Sequence, residues 1–240
     1  MLSAMTISEE LAGIPELLTD SSLASTRQNK ERLYSLLLEK QRRMSLFSLY
    51  YFAKYVVGFR EMEIEPHWGI CKFLEDNVET NDCLILLPRG TFKSSIISVA
   101  YPLWRLIKEH NTRTLLSSAE LENTKNFLSL IRNTLERNTV FRSLFGDLVP
   151  TRGGIETWTT TELGITGRTR PKAESSITAT SSSVTKVSQH FDCVILDDLM
   201  NEKNITSKEQ IDRIAGYLQL LIPILDPQTA TNRRGPRVVV

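Results

Sequence analysis

Two short runs of uninterrupted apolar residues constrain this chain more than any other feature. Cys83-Leu84-Ile85-Leu86-Leu87 lies between Asp82 and Pro88, and Cys193-Val194-Ile195-Leu196 runs straight into Asp197 and Asp198. Apolar runs this short, closed by charged or turn residues, read as strands buried on both faces, which a parallel sheet covered by helices requires. The segments between them alternate in kind. Arg113 to Ser117 and Ser176 to Ser181 read as further strands, Ile155 to Thr166 alternates like a hairpin or edge strand, and Arg237-Val238-Val239-Val240 reads as the opening of another. Helical periodicity runs from Arg27 to about Tyr55, through Ile70, Phe73, Leu74 and Val78 behind Pro66-His67-Trp68, and from Ser94 to about Ile107. It returns at Leu121 to Arg137, with Thr124, Leu128, Ile131 and Leu135 on one face. Ser207 opens a last helix, with Gln210 placed to complete a capping box. Strand and helix in alternation predict an α/β fold, a mostly parallel sheet with helices on both faces. The expected layout is a leader and helical arm over residues 1–60 and the α/β domain over 61–240.

Composition narrows the class. With 41% apolar and 24% charged residues, the 240-residue chain is neither disordered, collagenous nor a coiled coil. No apolar run approaches the roughly 18 residues of a membrane helix, and the acidic N-terminus lacks a basic region ahead of an apolar stretch, so no membrane association or secretory signal is expected. Cys71, Cys83 and Cys193 are odd in number and contain no CxxC pair. They read as small apolar residues of a reducing compartment rather than disulfide or zinc ligands. The formal charge of +1 hides a difference along the chain: residues 1–80 carry 12 acidic and 9 basic groups, residues 81–240 carry 20 basic and 16 acidic. That mild excess permits a phosphate-bearing partner without requiring one.

The chemistry concentrates where the two apolar runs end. Between the first run and a helix stands Pro88-Arg89-Gly90-Thr91-Phe92-Lys93-Ser94-Ser95, the setting of a phosphate-binding loop. Gly90 lets the backbone turn its N–H groups toward phosphate oxygens, Lys93 supplies a point charge, and Ser94 offers a hydroxyl to Mg²⁺. The usual spacing is not kept, because Leu87 and Phe92 occupy the places of the two standard glycines. At the end of the second run two consecutive carboxylates point to opposite sides of the strand, so they take different tasks. Asp197 is expected to hold Mg²⁺, and Asp198 to orient and deprotonate an attacking water. Arg89 is expected to contact the γ-phosphate or a neighbouring acid. Together these residues predict a nucleotide hydrolase that uses Mg²⁺, with Lys93, Arg89 and Asp198 as the catalytic groups.

The pattern resembles the ATPase domain of the large terminase of tailed bacteriophages, the motor that drives viral DNA into a procapsid. Three segments carry the resemblance over about residues 45–240: the deviant loop Leu87 to Ser94, the His190-Phe191-Asp192 lead into Asp197-Asp198, and Arg234-Gly235-Pro236-Arg237 before Val238-Val239-Val240. The resemblance implies ATP and Mg²⁺ as ligands and an additional-strand P-loop NTPase fold, with the strand near Val238 lying between those that carry Lys93 and Asp198. It implies double-stranded DNA, a portal protein and a small terminase subunit as partners, a homo-oligomeric ring at the portal, and the host cytoplasm as location. It also implies a coupling motif beyond Val240 and a nuclease domain, neither of which lies within these 240 residues. A further cation would stabilise transferred charge, and Arg142, Arg152, Arg168, Arg170 and Lys186 are the candidates. His67 and Trp68 stand where related ATPases hold adenine. Two alternatives stay open on the sequence: a superfamily-two helicase, which would normally follow its acids with a residue pair other than Leu199-Met200, and a module that binds ATP without hydrolysing it.

Overall fold

The computed structural model describes residues 27–77, 82–150, 156–170, 173–184, 189–200, 206–225, 227–228, 233–234 and 237–240. Helix α1 (Arg27–Phe47) ends where Ser48 caps the short α2 (Leu49–Tyr51), its hydroxyl accepting from the Tyr51 N–H. A π-helical stretch, Phe52–Val57, follows and stops at Gly58, whose φ of 106° is the left-handed conformation that glycine adopts without strain. The helical stretch expected from Arg27 to about Tyr55 is present, with an interruption at Ser48, whose side chain competes for a backbone N–H. Helix α3 (His67–Asn77) begins directly after Pro66.

Six strands form the main sheet: β1 (Cys83–Leu84), β2 (Thr114–Ser118), β3 (Glu162–Leu163), β4 (Ile177–Ser181), β5 (Cys193–Leu196) and β8 (Arg237–Val239). Their order is β1-β8-β5-β2-β4-β3, with β3 antiparallel to β4 and every other neighbouring pair parallel. The chain-terminal strand thus lies between β1 and β5, as expected, with Val239 opposite Leu84 on one side and Leu196 on the other. Two further short strands, β6 (Pro227–Gln228) and β7 (Arg233–Arg234), pair antiparallel with each other.

Alternation along the strands sorts the apolar residues into two cores. Leu116, Ile177, Ala179, Cys193, Ile195 and Val238 face one way and pack with α3, α4 (Tyr101–Lys108), α5 (Leu121–Arg137) and α6 (Thr139–Phe145). Leu115, Val194, Leu196 and Val239 face the other way, against Tyr217 and Leu221 at the end of α7 (Lys208–Leu220) and against Ile224 and Leu225. Helices therefore cover both faces. Residues Leu49 to Val56 join the first core, so the inner end of the arm is packed into the sheet domain. Helix α7 starts on the expected capping box, with the Ser207 hydroxyl accepting from the Gln210 N–H and the Gln210 side chain accepting from the Ser207 N–H.

One strand departs from expectation. The run Cys83 to Leu87 is not buried on both faces: β1 is at the edge of the sheet, and Leu84 and Leu86 are 62% and 75% exposed. Cys83 and Ile85 face a covered side and are buried, and Leu87 is partly buried against the same core. The apolar run reads the same in either setting, because periodicity does not reveal which neighbours are present.

The N-terminal edge of the parallel strands is held by charge. Arg113, just before β2, donates from Nε and Nη2 to the two carboxylate oxygens of Asp192 at 3.1 and 2.9 Å, and from Nη1 to Glu174 at 3.3 Å. Burial opposes ionisation of Glu174, but the His190 backbone N–H and the Arg113 charge outweigh it and hold the carboxyl below its ordinary value. At the same N-terminal edge, on the β1 side of the sheet, Asp82 pairs with the side chain and backbone N–H of Arg237, which ties β8 to the start of β1. All three cysteines are buried, with thiols outside any disulfide. No helix among the described residues is long and apolar enough to cross a membrane.

Candidate functional site

Parallel strands place every C-terminal end at one edge, and in open α/β sheets ligands bind outside that edge. Here the edge gathers the loop after β1 and the acids after β5, although they are about a hundred positions apart in sequence. Ser94 Oγ donates to Asp197 Oδ1 at 3.2 Å, and Ser98 Oγ donates to Asp197 Oδ2 at 2.6 Å. A pocket of about 440 Å³ opens beside them, lined by Arg89, Gly90, Thr91, Phe92, Lys93, Ser94, Ser95 and Asp198. A volume of that order suits a small-molecule ligand. Pro88 stands next to this lining, and its carbonyl accepts from the Thr91 hydroxyl at 2.8 Å.

Two residues of this loop have left-handed backbone. Gly90 has φ 83°, and a Cβ there would meet nothing within 4 Å, so its conformation and not its smallness is what the turn uses. Phe92 has φ 53° and so takes the left-handed conformation that a glycine would adopt freely. Its ring offsets the strain by packing: the His67 ring meets it edge-on at 5.4 Å and Phe59 lies at 6.5 Å. His67 is itself fixed, with Nδ1 accepting from the Glu63 N–H at 2.8 Å. The loop closes back on the strand through Lys93, whose Nζ donates to the Leu87 carbonyl at 3.3 Å.

The two acids sit in opposite environments, and not by strand alternation, because β5 ends at Leu196 and Asp198 stands on left-handed backbone. Asp197 is 4% exposed, and its carboxyl is pushed above the ordinary value by burial and, less strongly, by the charge of Asp198; the Ser98 and Ser94 hydroxyls and the Lys93 charge pull it back. Asp198 is exposed in the pocket wall, with φ 53° and its carbonyl accepting from the Ala119 N–H at 3.2 Å. Ser94 and Asp197 offer a hydroxyl and a carboxylate, both hard oxygen donors. Among the described residues no group of three His, Cys, Asp or Glu forms a cage of its own. That donor set fits Mg²⁺, which is commonly held by one or two carboxylates together with substrate phosphates.

Other candidates fall elsewhere. Arg168 donates to the Glu174 carbonyl at 2.8 Å and the Arg170 N–H donates to Asn111, which puts both at the N-terminal edge of the strands, away from their own chain's loop. Arg142 pairs with Asp147. Arg152 and Lys186 lie outside the described residues. Neither His67 nor Trp68 lines the pocket; His67 reaches the loop only through Phe92, and Trp68 packs on the core. Sequence reasoning missed Ser98. Its signal was present, since it is the polar residue within the buried run Ile96 to Ala100 and lies one helical turn beyond Ser94. A comparison with models of known protein families finds no match, and neither does a comparison with curated protein sequences.

Proposed function

We propose that this chain is an ATP-hydrolysing motor domain of the large-terminase type, an additional-strand P-loop NTPase that drives double-stranded DNA into a procapsid. The observation that carries the reading is the hydrogen bond from Ser94 to Asp197, which unites a strand-to-helix loop bearing Lys93 with an acid-tipped strand around one pocket. The position of β8 between the strands leading to those two elements supports it. So does the left-handed Phe92, because it gives a loop of altered spacing the backbone turn of a standard one.

Each residue has a task under this reading. The turn at Gly90 aims backbone N–H groups at the phosphates, and Lys93 exchanges its carbonyl partner for phosphate oxygens. Arg89, exposed at the pocket mouth, adds positive charge beside the γ-phosphate. Ser94 and Asp197 would hold Mg²⁺, which when bound neutralises charge on the phosphates. Asp198 orients a water in line with the γ-phosphate and accepts its proton, the step for which a general base typically contributes about 10²–10⁴ in rate. The buried Asp197 remains fixed while the exposed Asp198 meets solvent, so the pair divides coordination from proton transfer. The partners under this reading are duplex DNA, a portal protein, a small terminase subunit and further copies of the chain in a ring, in the host cytoplasm.

Steady-state phosphate release from ATP, measured alone, with duplex DNA and with single-stranded DNA, tests the proposal. Turnover that duplex stimulates more than single strands do supports a packaging motor. Stimulation by single strands alone would assign the site to a helicase, and tight ATP binding without any release would assign it to a non-hydrolysing module.

A further inference from the structure

The hydroxyl of Ser98 has no place in the phosphate-loop scheme, yet it makes the shortest contact at the site. Ser98 belongs to the π-helical stretch Ser95–Ala100, in which Ile96, Ile97, Val99 and Ala100 are all buried, and it is itself 1% exposed. A hydroxyl in such a run costs stability unless it is bonded, whereas alanine or valine would pack there at no such cost. Its partner is the Oδ2 atom of Asp197 at 2.6 Å, on the opposite side of the carboxylate from Ser94. The two serines therefore divide the carboxylate between them, Ser98 closely on Oδ2 and Ser94 more loosely, at 3.2 Å, on Oδ1.

We propose that Ser98 is the positioning residue of the cation site: it anchors Oδ2 so that Asp197 presents Oδ1 toward Ser94 and the pocket. The inference rests on the reading of Ser94 and Asp197 as Mg²⁺ ligands and adds the residue that orients them. Without Ser98, the buried carboxylate has Ser94 as its only side-chain donor among the described contacts, and rotates to take that hydroxyl fully. The hydroxyl is then withheld from the cation, and the oxygen meant for the cation is turned away. Residues that orient a metal ligand from behind typically set metal affinity by about 10- to 100-fold. Ser98 would act on Mg²⁺ alone, because the contacts that Lys93 and the loop backbone make with phosphates do not pass through it.

The test measures ATP binding by calorimetry across a Mg²⁺ series and in EDTA, for wild type and for Ser98→Ala, Ser98→Thr and Ser98→Val. The last two have nearly the same shape and differ in the hydroxyl. The expected result is a half-saturating Mg²⁺ concentration raised about 10- to 100-fold in Ser98→Ala and Ser98→Val. Ser98→Thr should stay close to wild type, and ATP affinity in EDTA should be the same in all four. If packing strain unfolds the valine variant, alanine against threonine gives the same comparison. A purely structural serine would shift the thermal midpoint and the EDTA affinity together and would not distinguish threonine from valine. A shared Mg²⁺ dependence in threonine and valine, or a wild-type dependence in alanine, overturns the inference and leaves the proposed function standing. Absence of Mg²⁺-dependent ATP binding by wild type would overturn both.

Discussion

Replacing Phe92 by alanine and, separately, by glycine divides the two terms that hold the loop. The ring is half-buried against His67 and Phe59, while the backbone beneath it stands at φ 53°. Either substitution removes the ring. Fully burying a phenylalanine is worth about 1.5–3 kcal/mol, and each ring contact adds about 0.5–1.5 kcal/mol. Half-burial and two contacts at the far end of that range put the loss at about 2 kcal/mol. Alanine keeps the left-handed strain of about 1–2 kcal/mol, and glycine removes it. Glycine also makes the unfolded chain more flexible, which returns about 0.4–1 kcal/mol. The glycine variant should therefore be more stable than the alanine variant by about 1 kcal/mol, or about 2–4 °C in thermal midpoint for a chain of this size. At an ordinary site the ranking is reversed. Urea and thermal unfolding of both variants beside wild type make the measurement. An alanine variant as stable as the glycine one, or more so, would refute the claim that the loop uses a left-handed Phe92 in place of glycine.

Three other outcomes follow from the same geometry. Arg113→Met leaves Asp192 and the buried Glu174 without their cation, and breaking a buried pair this way costs about 3–5 kcal/mol, readable in urea unfolding; a loss under about 1 kcal/mol would mean the cluster is solvated. The carboxyl of Asp82 is held below its ordinary value by its hydrogen bonds with Arg237, so its folded pKa is lower than its unfolded one. That contribution is complete above about pH 4 and is lost as pH falls through the folded value, so Asp82→Asn should be less stable than wild type at pH 7, with a flatter acid limb of the stability–pH curve on which the two proteins converge at low pH. Asp197 has the opposite sign: burial raises its carboxyl, so its charge costs stability once pH exceeds the raised value. Asp197→Asn should thus have an equal or higher thermal midpoint at neutral pH without nucleotide while losing Mg²⁺-dependent ATP binding, and a lower midpoint with intact binding would contradict both statements.

The strands were legible because their apolar runs were short and their ends carried turn or charged residues. Val238 and its neighbours could be placed between β1 and β5 only through the resemblance, since strand order leaves no trace in periodicity. The Ser207–Gln210 capping box was legible because its chemistry is local. What escaped depends on partners distant in sequence. Leu84 and Leu86 looked like core, and their exposure follows from the edge position of β1. Ser98 looked like part of an apolar helix until the fold brought Asp197 against it. Phe92 looked like a broken motif, and only its dihedral angle shows that it takes the conformation a glycine adopts freely. The bond of Arg113 to Asp192 and Glu174 joins residues 79 and 61 positions apart, and no local pattern announces such a pair.

The central claim is that the Lys93 loop and the Asp197-Asp198 strand end form one ATP-hydrolysing site. Pre-steady-state and steady-state phosphate release by wild type, Lys93→Ala and Asp198→Asn, each paired with ATP binding in Mg²⁺, tests it most directly. Lys93→Ala should lose both binding and release, and Asp198→Asn should still bind ATP with release slowed by about 10²–10⁴. Undiminished release by either variant, or a wild type that binds no ATP, would contradict it.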